Sequence, residues 1–458
     1  MKVAFYTLGC KVNHYETQAM LELFLAAGYE SVPFSERADV YVVNTCTVTQ
    51  VSDQKSRHML ARAHRMNPDA LVAAVGCYAQ TAAEAVAALE GVSLVVGTDG
   101  RRDIVRLVES ALAAREAAGA AVQPRAAGEA STADGGPAPA RRSAINEVHD
   151  LKTARAFEEL SAVADSRTRA TLKIQDGCRN FCTYCAIPYA RGPIRSRPLE
   201  SIRRELTRLA AEGYREVVLT GIHLASWGLD SGEGDLNDVL RMAAGIDGLP
   251  RIRLGSLEPK FCDERFAETV AALPAVCPQF HLSLQSGSDA VLKRMNRRYT
   301  TEEYLRSVAL LRQASPSCAV TTDVIAGFVG ETQQEHEETL AFVERAAFAR
   351  IHVFPYSRRR GTKADAMPGH LPKRVREARA AELIRLGDRL ETAFVAGMAG
   401  KRANVLIESG GEGYTENYVR VRIVSGGGLL PVDPCREGDL VRVLITGADG
   451  KTALGEPV

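Results

Sequence analysis

Between residues 175 and 192 the chain reads QDGCRNFCTYCAIPYARG, which places Cys178, Cys182 and Cys185 within eight residues in the spacing CxxxCxxC. Thiols this close are metal ligands or, in an oxidising compartment, disulfide partners. Structural zinc asks for four closed ligands, usually as two separated pairs, and no second CxxC and no HxxxH occurs in the chain. A 4Fe–4S cluster is also held by thiolates. With three of them, one iron is left open to a non-protein ligand, and an exchangeable iron points to chemistry. An open cluster, zinc and three unrelated loop cysteines are the readings these residues leave.

Three more cysteines share a placement. Cys10 ends VAFYTLGC, Cys46 ends DVYVVNTC and Cys77 ends LVAAVGC, 36 and 31 residues apart. Each closes a β-like apolar run, so neighbouring parallel strands would bring all three to one sheet edge, where open α/β folds bind ligands. A helix start after each would favour the thiolate. One buried cysteine is ordinary packing; three at the same place imply a common task. Cys262, Cys277, Cys318 and Cys435 show no common spacing and read as filler.

The elements that must position these thiols follow from pattern. A chain of 458 residues has room for about three domains. Its 46% apolar and 25% charged content is that of a globular protein. No apolar stretch is long enough to span a membrane and the start is not a signal peptide, so a cytoplasmic protein with reduced thiols is expected. Net charge is +1, which excludes an overall basic nucleic-acid binder and leaves room for a local patch. Residues 1–116 alternate VAFYTLG, VYVVNT, LVAAVG and SLVVGT with helical segments, the pattern of a parallel α/β layer. Residues 117–140, AAGAAVQPRAAGEASTADGGPAPA, cannot bury enough apolar surface to order themselves and read as a flexible linker. Over 165–396, six β-like runs (TLKIQ, EVVLT, RIRLGS, FHLSLQS, VTTDVIAG, IHVFPYS) alternate with helices, too few for a closed eight-fold barrel, so an open, partial barrel is expected, ending in a basic helix. Residues 398–458 hold three β-like runs between Gly-rich turns, the size of a small all-β barrel.

The segment at Cys178 resembles the radical S-adenosylmethionine (radical SAM) enzymes, whose CxxxCx-aromatic-C pattern is met with Tyr184. The resemblance implies that Cys178, Cys182 and Cys185 are catalytic and hold a 4Fe–4S cluster, that SAM chelates the open iron, and that an electron cleaves SAM to a 5′-deoxyadenosyl radical. It also implies a partial βα barrel, in agreement with the six runs. By the same resemblance Tyr184, Gly221 after EVVLT, Ser283 and Gln285 in LSLQSG, and Gly327 in DVIAGFVGE fall where the family contacts the cofactor; by itself a glycine after a strand is a plain turn. GCKVN (Cys10, Asn13), NTC (Cys46) and GCYAQ (Cys77) are similar to the N-terminal domain of the methylthiotransferases. That similarity implies a second open 4Fe–4S cluster, on Cys10, Cys46 and Cys77, carrying or donating sulfur. The tail resembles that family's TRAM domain, an RNA-contacting barrel, and TLGCKVNHYET resembles the subgroup that methylthiolates threonylcarbamoyl-adenosine beside the tRNA anticodon.

The expectation is therefore an enzyme acting on the tRNA anticodon loop, fed electrons by a donor such as flavodoxin or ferredoxin. The alternatives are the same chemistry on another modified adenosine or a ribosomal protein, and a non-catalytic electron carrier. The tail carries seven Lys/Arg against eight Asp/Glu, so its charge gives RNA binding no support. The better patch is 355–385, with nine Lys/Arg against three Asp/Glu. There Arg358, Arg359, Arg360 and Lys363 are phosphate candidates, as are Lys293, Arg294, Arg297 and Arg298; the competing reading is a solvated face.

Overall fold

The computed structural model describes residues 1–120, 144–162, 168–425, 428–429 and 435–458. Most of the expected linker, from residue 121 on, lies outside the described residues, as do 165–167. Among the described residues no helix is long and apolar enough to cross a membrane.

Two compact units are distinguished. In the first, strands β1 (Lys2–Thr7), β2 (Glu30–Ser31), β3 (Val40–Thr45), β4 (Leu71–Gly76), β5 (Val92–Val96) and β6 (Ile145–Glu147) form a parallel sheet in the order β2-β1-β3-β4-β5-β6. β3 and β4 are buried at every residue, as strands covered on both faces must be. Helix α1 (Lys11–Ala26) packs Met20 and Phe24 on Val40, Val42 and Leu71 of one face. Helix α2 (Gln50–Met66) packs Leu60 and Ala63 on Tyr41, Val43 and Val72 of the other. The chain thus leaves β1 and β3 toward opposite faces. That makes the β1/β3 boundary a topological switch point, with a crevice at the strands' carboxyl ends.

The four expected runs are β1, β3, β4 and β5. The expected boundary at 116 is corrected: β6 comes from beyond the linker segment, and the unit also takes in 158–162 and Tyr189–Gly192. Edge strands of two or three residues are too short to show a period.

In the second unit, β7 (Arg169–Asp176), β8 (Arg195–Ser196), β9 (Glu216–Gly221), β10 (Arg251–Leu254), β11 (Ser256–Leu257), β12 (Gln279–Leu282), β13 (Ala319–Ala326) and β14 (Arg350–Pro355) form two linked sheets, β10-β9-β7-β8 and β11-β12-β13-β14. β10 and β11 are halves of one run broken at Gly255, so the six expected strands follow one another in parallel, with β8 as an antiparallel edge. Long helices start where capping boxes put them, Thr300 with Glu303 and Thr332 with Glu335, each satisfying two backbone donors.

The tail expectation of three runs is corrected to six strands among the described residues: β15 (Arg402–Ser409), β16 (Glu412–Tyr414), β17 (Arg420–Ser425), β18 (Gly428–Leu429), β19 (Leu440–Asp449) and β20 (Thr452–Pro457). The order β16-β15-β19-β20-β17 closes through β16–β17 into a five-stranded barrel, filled by Val405, Ile407, Val421, Ile423, Val443 and Ile445.

The tail barrel is docked on the strand ends of the same unit. Arg253 grips both oxygens of buried Glu216 (2.7 and 3.1 Å), donates to the carbonyl of Glu416 at 2.9 Å, and lies over the ring of Tyr418. Tyr418 stacks on Tyr414 at 4.7 Å between ring centres. Glu216 keeps a second buried partner in Arg251 at 3.0 Å, so Arg253→Met costs the hydrogen bonds rather than the whole charge balance and is expected to destabilise the tail by about 1–3 kcal/mol. Limited proteolysis would then cut 398–458 away at temperatures where the parent resists; unchanged cleavage would contradict this role.

Candidate metal centres

Cys10, Cys46 and Cys77 follow β1, β3 and β4, adjacent in the sheet, and so meet at the crevice around the switch point. Glycines make the approach possible. Gly9 has φ +110°, and a Cβ there would lie 3.0 Å from Cys46 Sγ; Gly76 has φ +95°, and a Cβ there would lie 2.4 Å from Asn44 Oδ1. Asn13 ties the strand ends together, its Nδ2 donating to the carbonyls of Leu8 (2.8 Å) and Thr45 (3.1 Å) while its Oδ1 stands 3.8 Å from Cys10 Sγ. Arg191 donates from Nε to Cys77 Sγ at 3.3 Å. Cys46 and Cys77 are buried and Cys10 is exposed.

The expectation that helix starts favour these thiolates is corrected. Cys10 caps α1 and Cys77 opens the five-residue helix α3 (Cys77–Thr81), but α2 begins only at Gln50, beyond Cys46. Burial pushes the Cys46 and Cys77 thiols up, and the neighbouring thiols add to this. Desolvation outweighs the dipole of a helix end.

The other three thiols lie in the loop after β7. Lys173 (2.6 Å) and Arg195 (3.4 Å) hold Asp176, whose Oδ1 accepts from the Gly177 N–H. Gln175, which sequence reasoning passed over, donates to the carbonyls of Asp176 and Gly177 (2.7 and 2.8 Å) and accepts the His223 N–H (2.7 Å). The far side is pinned by Asn296 Nδ2 on the Phe181 carbonyl (3.1 Å) and by the Thr183 N–H on the Met295 carbonyl (3.0 Å). Burial pushes Cys178 up to about 11 and Cys185 up to about 12. Arg297 Nη1 donates to Cys182 Sγ at 3.4 Å. Beside it His223 meets Glu258 at 2.9 Å and Asn180 at 3.1 Å.

The expected cofactor contacts end up in different settings. Gly221 ends β9, where a Cβ would lie 2.9 Å from Gln175, so its smallness admits that side chain. Ser283 turns its carbonyl to Arg297 (3.2 Å) and Tyr299 (2.6 Å). Gln285 has φ +71°, a left-handed non-glycine residue beside β13, the kind of strain that collects at functional sites. Gly327 packs against Arg376, 2.6 Å from where its Cβ would be, and Tyr184 packs its ring on Phe328; both have structural work.

Of the basic run, Arg359 is corrected: it is buried. Arg358 is exposed but paired with Asp365, whereas Arg360 and Lys363 are exposed. Arg297, against Cys182, and Arg294, paired with Glu335 at 2.7 Å, are also withdrawn from the phosphate candidates. Lys293 and Arg298 are exposed.

Among the described residues no three His, Cys, Asp or Glu side chains converge as a single ion requires. In a 4Fe–4S cluster each thiolate binds its own corner iron, so its thiols need not converge on one point. Thiols whose burial favours the proton become good ligands once a metal displaces it.

Residues 2–97 match the family model described as uncharacterized protein family UPF0004, and 172–343 match the radical SAM superfamily. The chain is 39% identical to the threonylcarbamoyladenosine tRNA methylthiotransferase MtaB of Bacillus subtilis, over 96% of this chain and 97% of that protein. It is 33% identical to the tRNA-2-methylthio-N(6)-dimethylallyladenosine synthase of Moorella thermoacetica, over 99% and 97%. Among solved structures, the radical SAM methyltransferase TsrM from Kitasatospora setae, with cobalamin and a [4Fe-4S] cluster bound, aligns with TM-score 0.56 at 17% identity over 95% of this chain and 83% of that one. That similarity speaks to the fold alone.

Proposed function

This chain belongs to the radical SAM methylthiotransferases, and from that membership we propose that it adds a methylthio group to carbon-2 of N6-threonylcarbamoyladenosine at position 37 of tRNA. It is a transferase whose cofactors are SAM and two 4Fe–4S clusters. The observation that carries the substrate reading is the 39% identity, over nearly all of both chains, to a threonylcarbamoyladenosine enzyme; the motif TLGCKVNHYET agrees with it.

Cys178, Cys182 and Cys185 would hold one cluster and leave an iron for SAM; Cys10, Cys46 and Cys77 would hold the other. When bound, the first supplies the electron that cleaves SAM to a radical able to activate the C–H bond, and the second supplies sulfur. Gln175, Asn296 and Thr183 brace the first loop by hydrogen bonds to backbone carbonyls. Tyr184, within the loop, packs its ring edge-on against Phe328. The electron donor is a protein of the flavodoxin or ferredoxin type, and the tail barrel and exposed basic residues meet the RNA.

Mass spectrometry of nucleosides from a deletion strain tests the substrate. The methylthio group should vanish from threonylcarbamoyladenosine and return on complementation. Its loss from dimethylallyladenosine instead would transfer the assignment to the second group of relatives.

Because Arg359 is buried, the RNA test uses Arg358, Arg360 and Lys363. Changing them together to Ala is expected to flatten the salt dependence of tRNA binding by about 0.7–0.9 for each phosphate no longer neutralised. An unchanged slope would return this run to a solvated face.

A further inference from the structure

Arg191 was not singled out by its spacing, yet it is fully buried and lies against Cys77. Its Nε–H donates to Cys77 Sγ at 3.3 Å, and its Nη2 to Asn13 Oδ1 at 2.7 Å, the oxygen beside Cys10. Its fork holds both oxygens of Glu16, at 2.5 and 2.9 Å. Glu16 also pairs with Arg101, which grips Glu158 at 3.0 and 2.8 Å. The two arginines and two glutamates balance, and the carboxylates fix the guanidinium in one orientation. A buried ionic network of this kind is weak evidence for stability, since apolar packing would serve as well or better. What apolar packing would not provide is an N–H aimed at sulfur.

We propose that Arg191 is a positioning residue for the cluster of Cys10, Cys46 and Cys77, holding the Cys77 thiolate with an N–H and a positive charge and thereby making that cluster easier to reduce. The inference rests on the reading that these thiols hold a cluster. Hydrogen bonds to sulfur and local charge are among the determinants of cluster potential. A cation beside the sulfur stabilises the form carrying one more electron, so the reduction potential rises. Arg297 on Cys182, at 3.4 Å, repeats the arrangement at the other thiol set.

The test uses the full chain with Cys178, Cys182 and Cys185 changed to Ala, so that one cluster alone contributes a signal. After anaerobic reconstitution, iron is counted and the cluster is titrated against potential by electron paramagnetic resonance, with Arg191 and with Arg191→Met or Arg191→Lys. The Met variant should keep its iron and titrate at a more negative potential, with the Lys variant in between. In the chain with all cysteines present, Arg191→Met should lower methylthio product by about 10- to 100-fold, the usual effect of losing an outer-shell partner, while 5′-deoxyadenosine still forms. A Met variant titrating with its parent overturns the inference. Should the Met variant hold no iron, the Lys variant decides, because it keeps the charge but not the Nε–H; coincidence with the parent overturns the inference there too. A parent that takes up no iron overturns the cluster reading itself, and the missing iron tells the two failures apart.

Discussion

Chains in which any one of Cys178, Cys182 and Cys185 is replaced by Ala are expected to form neither 5′-deoxyadenosine nor methylthiolated tRNA, with both falling to background. Each thiol would bind a separate iron, and the site already lacks a fourth protein ligand, so losing one leaves two. The loop is also braced by contacts that do not involve its sulfurs. Gln175, Asn296 and Thr183 hold it by hydrogen bonds to backbone carbonyls or, for Thr183, from its own N–H. The variants should therefore remain folded, with the melting temperature of the metal-free parent. Substantial 5′-deoxyadenosine from a folded Cys182→Ala chain would contradict the assignment.

Replacing Cys46 by Ala is expected to fail in a different way, with no methylthio product but continued cleavage of SAM to 5′-deoxyadenosine. The reason is the proposed division of labour, in which Cys46 at the end of β3 would belong to the sulfur-bearing set and the thiols after β7 to the radical set. Cys46 is buried, and Gly9, lacking a side chain, leaves room for its sulfur. Alanine there is smaller and leaves a small gap, a modest cost to stability. If the first three cysteines only packed strand ends, such a variant would lose a little stability and keep making product. Methylthiolation by folded Cys46→Ala protein, with its radical-site cluster confirmed by spectroscopy, would remove the sulfur-donor role.

The sequence shows both thiol sets because cysteine placement at strand ends survives as local pattern. It shows β3, β4 and the six barrel strands because each is an apolar run long enough to stand out from the helical segments around it. β2, β6, β8 and β18 are two or three residues long and owe their existence to a neighbouring strand. β20, TALGEP, has few β-forming residues and is a strand because β17 and β19 flank it. Arg191 and Gln175 were missed as site residues, and Arg297 was read as a phosphate candidate, for a related reason. Arg297 is 115 positions from the sulfur it faces, and Arg191 reads like any basic residue near a glycine. Arg359 misled in the opposite direction, since a run of three arginines does not reveal which one turns inward.

The central claim is that one chain carries two open clusters on two thiol sets, and iron counted after anaerobic reconstitution tests it most directly. The chain should load about eight irons, and about four when either Cys10, Cys46 and Cys77 or Cys178, Cys182 and Cys185 are replaced by Ala. A plateau near four irons in the unsubstituted chain, unchanged by loss of Cys10, Cys46 and Cys77, would contradict it.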